Sequence, residues 1–104
     1  MAYRHRVVFI VKYSRFNDAL SALQRLNEIS AERGWTTSRI LVPFVGATNE
    51  IILETDHPDL ATFERQSAAF YADGEAMKAW RAAADVVVEG SGHDALYSDA
   101  STLA

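Results

Sequence analysis

Apolar residues in the stretch HRVVFIVKY (5–13) fall on both parities, with His5, Val7, Phe9, Val11 and Tyr13 on one and Arg6, Val8, Ile10 and Lys12 on the other. Successive side chains of a strand point to opposite faces. One face of this strand is therefore apolar along most of its length, and the other is apolar at its centre. The next pattern has a helical period. Phe16, Ala19, Leu20, Leu23 and Leu26 share a face, with Ile29 at its edge. Ser14 or Asn17 suits the N-cap, and Gly34 suits the left-handed residue that ends the helix. Residues 35–45 are extended, GATN (46–49) is a turn, and EIILET (50–55) is a returning strand. Pro43 cannot donate to a ladder, which puts the second strand at a sheet edge.

HPD (57–59) opens a second helix, capped by Asp59 or Thr55, with Leu60, Phe63, Ser67, Phe70 and Tyr71 on its inner face. ADG (72–74) interrupts it, and Asp73 caps a further segment in which Met77, Trp80, Ala84, Val87 and Val88 share a face. That face carries the helix through VVV (86–88), with a strand there as the alternative. GSG (90–92) breaks the chain, residues 93–97 form the last strand, and 98–104 reads as a frayed tail. The order β-α-β-β-α-β within one domain over residues 1–104 is the ferredoxin-like split βαβ unit. Right-handed crossovers give an α+β fold with an antiparallel sheet in the order 4-1-3-2. Two helices cover one face, the second of them broken near Asp73. A bare sheet face should alternate to polar residues, yet strand 1 and residues 40–45 are apolar on both parities. A second copy packed sheet against sheet would cover that face.

Composition narrows the partners. The chain has 104 residues, 49% hydrophobic and 23% charged, enough for a single core and typical of a globular protein. Its longest apolar run, Val7 to Val11, falls far short of a membrane span, and no signal-peptide pattern opens it. There are no cysteines, which excludes disulfides and thiolate metal sites. A cytoplasmic protein is the expectation. A net charge of −4 argues against nucleic acid. The local basic group Arg4, Arg6, Lys12 and Arg15 reads as solvated strand ends.

A βαββαβ unit of this length, with two-faced strands and a second helix broken at YADGEAMKAW (71–80), resembles the dimeric α+β barrel superfamily. Its antibiotic-biosynthesis-monooxygenase-like and NIPSNAP-like families are the most similar groups. The resemblance covers roughly residues 4–98. It implies a homodimer joined through the sheet face and a substrate pocket between helices and sheet. It also implies a small-molecule-binding role, with cofactor-free monooxygenase-like chemistry on an aromatic or polyketide-type compound. The alternative is a non-catalytic dimeric accessory or binding protein. Haem-degrading members hold iron with a histidine on the second helix, and EAMKAWRAAAD (75–85) has none. No cofactor and no metal is therefore expected. Other proteins of this topology fit less well. RNA binders need aromatics on the third strand, metal chaperones a cysteine pair, and acylphosphatases a glycine-rich loop after strand 1.

Chemistry has few candidates. His5, His57 and His93 lack the HxxxH or HxH spacing that puts two ligands on one face. The ordinary reading of each is a surface or capping histidine. His93, which shares a face with Tyr97, and His5 are the candidates for moving a proton. Glu50 and Glu54 share a face of strand 3 and read as its polar rim. Tyr13, Phe44, Phe63, Phe70, Tyr71 and Trp80 are expected to converge between helices and sheet. Among them Tyr13, Tyr71 and Trp80 are candidates to hold a ligand, the resemblance adding that a Trp or Tyr there orients a planar one.

Overall fold

The computed structural model describes residues 2–102, without the side chain of Thr102. The elements run β1 (Tyr3–Ile10), α1 (Phe16–Glu32), β2 (Arg39–Leu41), β3 (Glu50–His57), α2 (Leu60–Ala72), α3 (Gly74–Ala84) and β4 (His93–Ser98). A 3-10 turn follows at Ala100–Thr102. All pairings are antiparallel, in the order β2-β3-β1-β4. Read from the other edge this is 4-1-3-2, the order expected from the sequence. Pro43 follows the short edge strand β2, where its missing donor costs no ladder bond. No described helix is long and apolar enough to cross a membrane.

Register sorts the side chains. Val7 lies opposite Leu53, Phe9 opposite Ile51, and Leu53 opposite Ile40. These residues face the helices, where Phe9, Ile51 and Leu53 join Val11, Ala19, Leu23, Ala83 and Val86 in the main core. A second cluster of Ile29, Ala76 and Ala79 joins α1 to α3, with Leu26, Trp35 and Phe70 against it. The buried face of α3 is thus Ala76, Ala79 and Ala83, one position before the expected Met77 and Ala84. Small residues prevail there because α1 and α3 pack closely along their lengths. By contrast, no residue of α2 is fully buried. Leu60, expected inside, is exposed.

Local chemistry explains most of the boundaries. Gly34 adopts a φ of 74° and Trp35 N–H bonds back to Ser30 C=O at 2.8 Å, closing α1 with a six-to-one turn. Its start departs from expectation. Arg15, not Ser14 or Asn17, occupies the N-cap and makes no side-chain cap bond. Ser14 instead takes a left-handed conformation in the preceding turn. Asp59 caps α2 by accepting from Thr62 N–H at 2.7 Å. Asp73, in extended conformation, ends α2 and caps α3 by accepting from Ala76 N–H at 2.9 Å.

Val86 to Val88 form neither the expected last helical turn nor a full strand. The helix ends at Ala84 and Val87 makes a single antiparallel bridge to Val11. Lys12 N–H donates to Val86 C=O at 2.7 Å, and Val88 N–H donates to Ile10 C=O at 2.8 Å. Val86 and Val87 still make turn bonds back to Ala83 and Ala84, but the β-branched segment leaves the helix and pairs with the end of β1. Ser98 completes β4 opposite Tyr3, so the segment expected to fray begins with paired backbone. Residues 103–104 of that segment lie outside the described residues.

The kink between α2 and α3 is held from α1. Arg33 Nε donates to Asp73 at 2.9 Å and its Nη2 to Glu75 at 2.7 Å, while Arg25 reaches Glu75 at 3.1 Å. The backbone N–H of Ala76, then Arg33, holds the Asp73 carboxyl below the usual carboxylate range. Replacing Asp73 by Ala removes a cap and one of the carboxylates that hold Arg33. The thermal midpoint should fall by about 5 °C. A midpoint within 1 °C of wild type (roughly 0.2 kcal/mol) in a calorimetric scan would show the break is set by other contacts.

Candidate functional site

A cleft of about 750 Å³ lies between the sheet and the inner faces of α2 and α3. It explains why α2 buries nothing fully: its inward residues look onto a void. Volumes of this order suit a small organic molecule. At one end the walls are Leu26, Trp35, Phe70 and Trp80, with Val7 and Leu53 on the floor. Phe70 and Trp80 meet edge to face, their centroids 6.2 Å apart. The opposite end carries His5, Thr55, His57, Phe63 and Asp94. One end is therefore rich in aromatic and apolar side chains and the other carries the histidines, a composition that can orient a ligand.

The polar end is built by register. His5 pairs with Thr55, and Tyr3 with His57, so the two histidines are diagonal neighbours on the helix-facing side. Phe63 of α2 sits between them, 5.3 Å from each ring at interplanar angles of 71° and 75°. His5 Nε2 lies 3.0 Å from Asp94 Oδ2. A carboxylate partner of this kind fixes the ring and favours one tautomer. His57 is only 5% exposed, and its Nδ1 is buried with no hydrogen-bond partner among the described residues. Burial, then the neighbouring charge of His5, pushes this imidazole below its ordinary pKa, against a smaller opposing effect of Asp56.

Several polar groups near the cleft bond to one another or to backbone. Ser38 and Thr55 hydroxyls bond each other at 2.7 Å, Asn27 closes on the backbone of Ser38, and Gln66 Oε1 accepts from Thr36 N–H at 3.0 Å. Among the described residues no group of three or more His, Asp or Glu is placed to hold a metal ion.

The structure gathers some of the candidates and disperses others. His5, Tyr71 and Trp80 line the cleft, Tyr71 at its exposed rim. His93 borders it at the start of β4, but its register opposite Val8 turns its side chain to the open sheet face. Tyr13 is 85% exposed and lies outside the cleft, as does the fully exposed Phe44, so the six aromatics do not converge. Both sit in connecting segments, where no register holds them against the sheet.

Glu54 also lies on the open face, bound at 2.6 Å by Arg6 and at 3.4 Å by Arg39. Burial pushes its carboxyl up, but the hydrogen bonds and charges of these arginines outweigh that and leave it lowered. Arg4 and Arg39 hold Asp56 in the same way. The residue missed from sequence is His57. Its parity with Ile51, Leu53 and Thr55 was the available signal, once the strand is carried two residues past Thr55.

No family model and no curated protein matches the chain. The fold is that of NIPSNAP-family and antibiotic-biosynthesis-monooxygenase proteins of known structure. A NIPSNAP family protein from Agrobacterium tumefaciens superposes with a TM-score of 0.77 at 10% identity, covering 100% of both chains. A putative antibiotic biosynthesis monooxygenase from Nitrosomonas europaea gives 0.75 at 16% identity, over 97% of this chain and 92% of its own. A variant of SnoaB, a cofactor-independent oxygenase from Streptomyces nogalater, gives 0.73 at 16%, over 98% and 96%.

A histidine with a lowered folded pKa binds its proton more readily when unfolded, at about 6.5. Its contribution to stability is present above that value and declines as the pH falls below it. The thermal midpoint should therefore drop between about pH 7 and pH 5, above the carboxylate range. His57→Phe should flatten that slope. An unchanged slope in the variant would assign it to other groups.

Proposed function

We propose that the chain binds a small planar aromatic compound in the cleft beneath α2. The observation that carries this reading is a void of about 750 Å³ with a tryptophan-lined apolar end and a histidine-lined polar end. The aromatic walls would hold a ring system by stacking and edge contacts. Trp80 and Tyr71 position it, and polar substituents lie towards the histidines.

The likeness to a cofactor-independent oxygenase supports a chemical role for the same cleft. In that role His5, oriented by Asp94, takes a proton from the bound phenol, and dioxygen is the co-reactant. One oxygen atom enters the ring to give a quinone and the other leaves as water. Binding alone uses the same walls without turnover.

A second copy is proposed to cover the open sheet face. Leu41, Ile52 and Val8 form one apolar row across it by register, and Val42, Phe44 and Val45 are exposed beyond the edge. A native mass spectrum should give the dimer, and a monomer at micromolar concentration would overturn that assembly.

1-Naphthol tests the site. Anaerobic calorimetry should show binding, and Trp80→Ala should weaken it about tenfold or more while circular dichroism stays native. Wild-type affinity in a folded Trp80→Ala variant would remove the residue from the site. Oxygen uptake on mixing with 1-naphthol in air, with naphthoquinone formed, separates turnover from binding alone.

A further inference from the structure

The Nδ1 of His57 is buried without a hydrogen-bond partner among the described residues, and the residue as a whole is only 5% exposed. Buried polar groups in folded proteins are almost always paired, because an unpaired one forfeits its hydration without return. A phenyl or aliphatic side chain at this position would pack against Phe63 without that penalty. The imidazole also lines the cleft rather than the closed core. We infer that His57 recognises a hydroxyl group of the ligand, a phenol or an enol, at the polar end of the cleft. The inference rests on reading the cleft as a site for a small aromatic compound.

The surroundings select the hydroxyl. His5 is engaged with Asp94, the Ser38 and Thr55 hydroxyls with each other, and Gln66 Oε1 with the backbone. His57 thus offers an unpartnered ring nitrogen at this end, beside the His5 that Asp94 orients. Among the described residues no arginine lines the cleft, and the one lysine that does, Lys12, bonds Asp85 C=O at 3.2 Å, away from the histidines. A carboxylate or phosphate would find no permanent cation at this end. A neutral imidazole carries one N–H and one lone pair. A hydroxyl, which both donates and accepts, satisfies either tautomer, whereas a carbonyl satisfies one. Its low pKa keeps His57 in that neutral form near pH 7.

The test compares 1-naphthol with 1-methoxynaphthalene, which keeps the rings and the acceptor oxygen and loses the donor. Calorimetry on the whole chain under anaerobic conditions should find 1-naphthol about tenfold tighter. His57→Phe should bind both compounds alike, at the affinity of the ether. On the wild-type protein, the ring ¹⁵N signals of His57 should move more with 1-naphthol than with 1-methoxynaphthalene, which can no longer donate to the ring. This readout decides the matter if His57→Phe does not fold. Equal binding of the two compounds with an unmoved His57 overturns the inference and leaves the cleft as an aromatic site. Binding of neither overturns both.

Discussion

The register of β1 against its two neighbours is the constraint on which the rest of the molecule depends. β1 is the inner strand paired to both β3 and β4, and every pairing alternates inward and outward residues in phase. A slip of one residue would turn Val7 and Phe9 out to solvent and bring Arg6 and Val8 under the helices. The same alternation that buries Phe9 also carries His5 inward, and through β3 it carries His57 inward beside it. The cleft's polar end follows from the way the core is paired.

Given that floor, the roof follows from how the helices divide the work. α1 and α3 close on each other through Ile29, Ala76 and Ala79 and take most of the sheet's inner surface. α2 is left anchored by the Asp59 cap, its contacts with α3 and the end of β3, and the bond from Thr36 to Gln66. Its inner aromatics then have space beneath them. A helix with no fully buried residue, standing over a cleft, opens at lower cost than one seated in a core, which suits an element that admits a ligand.

The two sheet faces solve opposite electrostatic problems. Below the helices, one histidine is paired with Asp94, while burial favours the neutral form of the other, whose Nδ1 has no partner among the described residues. On the open face, Arg4, Arg6 and Arg39 interlock with Glu54 and Asp56 in two rows, and an apolar row of Leu41, Ile52 and Val8 lies next to them. Exposed pairs of this sort contribute little individually to stability. Their arginines nonetheless cover Glu54 so fully that it is buried in a face with no helix over it.

Periodicity, capping residues and the position of Pro43 were enough to determine the βαββαβ order, the sheet order, the edge strand and the break at Asp73. Each depends on neighbours a few residues apart or on a backbone donor that proline lacks. The cleft was legible only in part: the parity of β1 already placed His5 with Val7 and Phe9. Tyr13 and Phe44 looked like site aromatics by type, yet connecting segments gave nothing to turn them inward. His57 looked like a turn residue because its strand ends there, and Val86 to Val88 looked helical because their spacing fits a helix face. Tertiary structure decided these. Ladder bonds from β1 extended β3 to His57 and drew Val87 to Val11, and close packing of α1 on α3 left α2 standing off the sheet. Which polar group ends buried without a partner depends on the whole set of neighbours that burial supplies, and local sequence carries no record of that set.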